Sequence, residues 1–379
     1  MTYAAPQVGR RLRAALLPAL VWAVGSWGPA LGIGALTLPA SAAAQAPAAS
    51  PNLLYVAAQE DVTVAIIDMA TNELIETIDL KELGFSENAK AHHTAVETDG
   101  SFWYVSLIAA GKVLKFDRQN RLVGQADFET PGMLSLDPTA DRLYVGRSMA
   151  AVNPPQRIGV IERSTMSLEE VDVFFPRPHA LVVEPRGGRF YSASLGQNSV
   201  AYAPLGAEEV QLLNLDGGPQ VLVQFAVSPD GRWMVAGGQL SGELLVFDLS
   251  GDEPRVVRSI QVGGQPWHPS FTPDGTTVWV PNQTANAVTA VRTDTWEVSD
   301  VITHPALIEP HGSAVSPDGQ TVYVSGRNVS GTYLPADGGA GRPGTVVAID
   351  AESHEVVAVI EVGRYAAGMS APVARSGRR

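Results

Sequence analysis

Glu309-Pro310-His311-Gly312-Ser313-Ala314-Val315-Ser316-Pro317-Asp318-Gly319-Gln320-Thr321-Val322-Tyr323-Val324-Ser325 decides the fold. It reads as two short strands around a tight turn. Ser313 to Ser316 is small and apolar, as a crowded inner strand requires. In Pro317-Asp318-Gly319, Pro presets φ, Asp bonds its own backbone and Gly takes φ > 0. Thr321 to Ser325 then alternates β-branched and aromatic residues, which is a strand signature.

The unit recurs. Trp267 to Ser270 leads into Phe271-Thr272-Pro273-Asp274-Gly275 and Val278-Trp279-Val280. Val223 leads into Val227-Ser228-Pro229-Asp230-Gly231, and His179 into Val183-Glu184-Pro185-Arg186-Gly187. Positions 179, 223, 267 and 311 are spaced 44 residues apart at each step. Earlier copies start at Gly132, before Leu136-Asp137-Pro138, and at His92, before Val96-Glu97-Thr98-Asp99-Gly100. A third strand, often ending in Asp, and a fourth follow each pair, as in Val346 to Asp350 and Glu355 to Val362. Four strands per step of this length predict propeller blades.

The count is seven, with one blade split. The first begins at Leu53-Leu54-Tyr55-Val56 and lacks an inner strand. The stretch Val362 to Met369 repeats the lead-in Val262 to His268. It is expected to supply that strand and close the ring, which removes sheet edges. The expected fold is therefore all-β, a seven-bladed β-propeller of four-stranded blades over residues 53–372. Pro-Asp-Gly followed by Val-Tyr-Val-Ser resembles the YVTN-type bacterial β-propeller repeat, which implies this fold over nearly the whole chain after its leader. The resemblance says little of activity, because propellers host many.

The chain has 379 residues and no cysteine, so disulfides, thiolate metal sites and haem attachment through CxxCH are excluded. Residues 1–45 hold Arg10, Arg11 and Arg13 and no acid, then an apolar stretch to about Leu38 and small residues from Ala40 to Ala44. This reads as an export signal, followed by a Pro/Ala linker over 46–52. Residues 373–379 are expected to be a disordered tail. The expected compartment is periplasmic or secreted, by the Sec or twin-arginine route. The competing account of residues 1–45 is an uncleaved anchor. The rest of the chain carries 23 basic against 39 acidic residues, a charge of −16. That disfavours nucleic acid and anionic membrane as partners. A monomer binding a small molecule or a periplasmic protein is expected.

A blade places the lead-in to strand one and the loop between strands two and three on the same face. Five of seven histidines fall in lead-ins there: His92, His93, His179, His268 and His311. His92, His179 and His311 share one repeat position, filled by Trp267 in the sixth blade. His93 and His268 share the next position and differ in strand parity. Equivalent positions in a ring converge on its axis, and converging neutral imidazoles suit copper, zinc or iron. The plainer account is polar lining of the channel or bonding to a neighbouring blade.

Ala91-His92-His93-Thr94-Ala95-Val96 and Glu309-Pro310-His311-Gly312 resemble parts of the nitrous oxide reductase propeller. That resemblance implies His92, His93 and His311, then His179 and His268, as copper ligands. The chain lacks that family's C-terminal cupredoxin domain and its cysteines, so that enzyme and its full cluster are not expected, and the histidines leave open either a simpler site for one metal ion or no cofactor at all.

A second set follows strand two: Arg147, Gln239, Asn282 and Arg327. With Trp267 they are candidate ligand-binding residues at the channel mouth. Two arginines there would clamp a carboxylate or phosphate. The alternative is a rim paired with nearby acids. Insertions at 148–157 and 328–344 lengthen the same face. The leading expectation is an exported binding protein that uses this mouth for a metal, a small molecule or a partner. The alternative is a metal-dependent enzyme, oxidoreductase or lactonase-like.

Overall fold

Each Pro-Asp-Gly turn is locked by its own side chains. In the computed structural model, which describes residues 52–372, Gly319, Gly275 and Gly231 have φ of 77°, 73° and 74°. That region costs a residue with a Cβ about 1 kcal/mol or more. Asp318 accepts the Gln320 N–H at 3.0 Å and the Ser316 hydroxyl at 2.6 Å. The Ser316 oxygen in turn accepts the Thr321 N–H at 2.9 Å. Ser228 with Asp230 and Thr272 with Asp274 repeat the arrangement. The turn thus fixes where strand two starts and hence the register of the pair.

The described residues form seven four-stranded antiparallel sheets. Blade seven runs through Pro310–Val315, Thr321–Gly326, Gly344–Asp350 and Val356–Val362. Blade one takes Leu53–Ala58, Thr63–Asp68 and Glu73–Asp79, and its innermost strand is Ala366–Ser370 from the other end of the chain. The pairing sets Tyr55 opposite Ser370 and Val56 opposite Met369. The expected propeller and its closure are both present. The export signal, nearly all of the linker and the tail lie outside the described residues.

The core lies between blades. On Leu53–Ala58, Leu54 and Val56 pack towards blade seven with Tyr323, Val346 and Met369. Tyr55 and Ala57 pack towards blade two with Trp103, Val105 and Phe116. Both faces of an inner strand are therefore apolar, which is why these strands read as continuous hydrophobic runs. Trp103 is fully buried, stacked on Phe116 at 4.1 Å and on Tyr55 at 5.1 Å between centroids. Such burial is worth on the order of 3 kcal/mol per large side chain. The outermost strands, such as Glu73–Asp79 and Arg255–Gln261, are mostly exposed.

Candidate functional site

The lead-in to every blade passes through one residue in the left-handed region. These are Lys90, Thr130, Arg177, Val221, Gln265, Glu309 and Tyr365, with φ between 49° and 61°. None is glycine, so each carries a conformational cost. Seven in register show that the ring itself demands the turn. Two residues on stand His92, Gly132, His179, Val223, Trp267, His311 and Ala367. In blades two to five and seven the pairing slips at this point, giving a bulge between Ala91 and Thr94, for example, or between Pro310 and Ser313. A bulge re-aims side chains that strict alternation would separate. Here it lets two consecutive residues of one lead-in both approach the axis.

Small residues make room for them. Ser106 donates to the Gly132 carbonyl at 2.7 Å, and Ser325 to the Ala367 carbonyl at 2.7 Å. Gly146 runs against the His179 carbonyl, and Gly368 against the His93 ring and the His92 carbonyl, with no space for a Cβ.

The five lead-in histidines are brought together. Ring centroids are 6.4 Å apart for His92–His179, 5.8 Å for His92–His311, 4.5 Å for His268–His311 and 5.9 Å for His93–His268. The parity difference of His93 and His268 does not take them away from the other three. His92, His179, His268 and His311 are each at most 4% exposed, and His93 is half-buried. Trp267 packs at 4.5 Å on His311, its ring tilted by 31°, and donates its indole N–H to Gln283.

Most of these imidazoles lack partners on at least one nitrogen. His92 has none on either nitrogen, and His179 Nε2, His268 Nε2 and His311 Nδ1 are likewise unpartnered. His179 Nδ1 lies 2.7 Å from the Arg147 carbonyl oxygen. A carbonyl only accepts, so Nδ1 carries the proton and Nε2 presents a lone pair. His93 Nδ1 instead accepts the Leu134 N–H at 3.3 Å. Burial drives every ring towards the neutral form: His179 is lowered to about 4 and His93 to about 3. His92, His268 and His311 are held well below the usual value, first by burial and then by neighbouring imidazoles. Among the described residues, burial, neighbouring imidazoles and arginines act on these five rings, and no carboxylate is among the causes. Among the described residues, no three histidine or carboxylate side chains are already gathered as a metal-holding group.

The residues after strand two divide. Arg147 is 1% exposed and spends its guanidinium inside blade three, on the Arg157 and Glu129 carbonyls and on Glu170 at 2.5 Å. Asn282 is buried against Thr289 and the Val280 carbonyl. Gln239 is half-buried, and its backbone N–H bonds Val221. Arg327 alone stands beside the histidines. Its guanidinium lies 5.6 Å from the Trp267 ring and 5.0 Å from the Tyr365 ring, and donates to the Tyr365 hydroxyl at 2.9 Å. Gly368 and Tyr365 belong to the site and escape sequence reading as separate signals. The repeat of Val262–His268 in Val362–Met369 is the clue that places them there.

Residues 220–372 match the model of the YNCE-like β-propeller family. No curated protein matches the chain. Among solved structures, a protein of unknown function from Desulfotomaculum acetoxidans aligns with a TM-score of 0.67 at 13% identity, over 85% of this chain and 99% of that one. Dihydro-heme d1 dehydrogenase NirN in complex with DHE aligns with a TM-score of 0.56 at 17% identity, over 86% and 76% of the two chains. Kuenenia stuttgartiensis hydrazine synthase aligns with a TM-score of 0.56 at 19% identity, over 73% and 87%. At these identities the likeness is one of fold. The described residues form a seven-bladed β-propeller, and residues 220–372 of it are similar to the YNCE-like β-propeller family.

Proposed function

We propose that this propeller is an exported binding protein that holds one transition-metal ion, copper, zinc or iron, on the imidazoles at its channel. The observation that carries the proposal is the set of unpartnered nitrogens on His92, His179, His268 and His311 in a buried place. Buried polar atoms without partners are uncommon and each calls for an explanation. A shared metal would take up one nitrogen on each of these rings, leaving the second nitrogen of His92 unpartnered. The His179–Arg147 bond is of the kind that orients a metal-ligating histidine.

The spacing fits. Two imidazoles bound to one tetrahedral ion through nitrogens at about 2.1 Å have centroids roughly 5 Å apart. The distances from 4.5 to 6.4 Å bracket that value. Closing the donors onto one point asks for side-chain rotation within the cluster. Burial already keeps the rings neutral, the form that ligates. An ion held by three imidazoles keeps a position open to a small molecule, and Arg327 beside it favours an anionic one. Turnover of that molecule would make the protein a metal-dependent enzyme. Export rests on residues 1–45, and the N-terminal sequence of protein recovered from the periplasm tests it.

The deciding experiment is metal content by mass spectrometry on protein purified without chelator, alongside a His92→Ala, His311→Ala double variant. Near-stoichiometric metal that disappears in the double variant is expected. Protein that stays metal-free after reconstitution with copper, zinc and iron would reduce the cluster to channel lining.

A further inference from the structure

A cavity of about 450 Å³ lies between the 328–344 insertion and the closing segment before Ala366, with Arg327, Arg342, Arg364, Tyr365 and Glu60 on its walls. That volume is in the range of small-molecule sites. Its charges are unlike the rest of the chain, which is strongly acidic. Arg364 is engaged by Asp61 through its Nε at 2.7 Å and its backbone N–H at 2.7 Å. Arg327 and Arg342 share the cavity walls with Glu60. Arg327 is held in place by the Tyr365 hydroxyl, yet its Nε is buried without a partner. A guanidinium fixed on the cavity wall, with only one nitrogen committed to the Tyr365 hydroxyl, offers charged donors to an anionic oxygen.

The insertion is built to hold this wall. Asn328 donates to the Tyr333 and Pro343 carbonyls at 2.9 and 3.0 Å and accepts the Tyr333 N–H at 3.0 Å. Tyr333 and the Ala336 N–H both bond Glu361 on the outer strand. The loop is pinned at both ends and at its middle.

Arg327 is also the link to the histidines, through the Trp267 ring that packs on His311. A divalent ion among neutral imidazoles, with a guanidinium nearby and no carboxylate acting on them, is left without a counter-charge. An anion on Arg327 supplies one. We propose that this cavity binds a small molecule through a carboxylate or phosphate group held by Arg327 and Arg342, and that anion and metal each tighten the binding of the other. The coupling rests on the metal reading above, whereas the anion site does not.

The test is calorimetric titration of metal-free protein with inorganic phosphate and with succinate at fixed ionic strength, on wild type, Arg327→Gln and Arg342→Gln. One-to-one binding of either probe, weakened about tenfold in each variant, is expected, and the tighter probe identifies the group. No binding of either probe, or binding that both variants leave unchanged, overturns the site. Arg342 is exposed, so its variant tests the site even where Arg327→Gln perturbs folding. The better probe is then titrated into protein loaded with one equivalent of zinc. Tighter binding by severalfold, lost in the His92→Ala, His311→Ala variant, is expected. Zinc that binds without changing anion affinity overturns the coupling. Where zinc does not bind, copper and iron take its place in the same titration, and failure of all three overturns the metal reading and the coupling together and leaves the anion site to stand on its own variants.

Discussion

The His179 ring is tied by its Nδ1, at 2.7 Å, to the backbone carbonyl of Arg147 in the preceding blade. The same Arg147 is immobilised by Glu170 and two carbonyls. One blade's buried ion pair thus fixes the tautomer of a histidine in the next. Nitrogen-detected NMR of histidine-labelled, metal-free protein should show His179 protonated at Nδ1 and bare at Nε2. Added zinc should shift the Nε2 resonance, and His179→Gln should lower metal affinity about tenfold or more. A ring protonated at Nε2 would remove His179 from the ligand set.

Gly368 faces His93 from the closing strand. A Cβ there would run into the His93 ring and lie 2.8 Å from the His92 carbonyl oxygen. Gly368→Ala should therefore cost about 1–3 kcal/mol in thermal or denaturant unfolding. It should also lower the yield of bound metal, because two histidines must shift. Ala367→Gly, one residue away, is the control for loosening the strand. An unchanged melting curve for Gly368→Ala would show that the lead-ins move apart freely and that the cluster is not tightly packed.

The repeat made the fold legible. Three Pro-Asp-Gly turns and a fixed step reveal the blades because turn chemistry is local, and the bonds of Asp318 and Ser316 stay within the turn. The closing strand was legible because Val362–Met369 copies an earlier lead-in. The histidines were legible as a set of equivalent positions. Their mutual distances were not, since in blade two a bulge, rather than strand parity, decides where His93 points. Arg147 and Arg327 look alike in sequence. They differ because Glu170, on another strand of blade three, captures the first. That pairing depends on cross-strand register. The cavity beside Arg327 depends on chain segments far apart in sequence, Glu60 and Arg342 among them.

The turn carboxylates should make the protein acid-sensitive. Asp318 is held below the usual carboxylate value by the Ser316 hydroxyl and the Gln320 N–H. For Asp274, burial works in the other direction and the bonds from Thr272 and Thr276 win. A group lowered in the folded state contributes stability that is fully present above its unfolded value, near 3.8. That contribution is lost as pH falls through the folded value. Stability should therefore drop below about pH 4. Asp318→Asn should flatten this part of the profile while costing no more than about 1 kcal/mol at neutral pH, since the group is exposed. Denaturant midpoints from pH 2 to 7 for wild type and variant check it. Parallel profiles would mean that the turn does not depend on the charge.

Ring closure depends on a short strand. Ala366–Ser370 pairs with Leu53–Ala58 and buries Met369 against Leu54, Val56 and Tyr323. Met369→Ala should cost about 2 kcal/mol or more, as for other buried methionines. Truncation after Gly363 removes the whole inner strand of blade one. It would bare the Leu53–Ala58 edge, with unpaired backbone groups beside apolar side chains, which is the arrangement that recruits other chains. Size-exclusion chromatography should then show oligomers and aggregate in place of the species formed by the full chain. The truncated protein should also lose metal, because Gly368 borders the His93 ring and the His92 carbonyl. A truncated chain that elutes and melts like the full one would mean that the six remaining complete blades hold the ring without its closing strand.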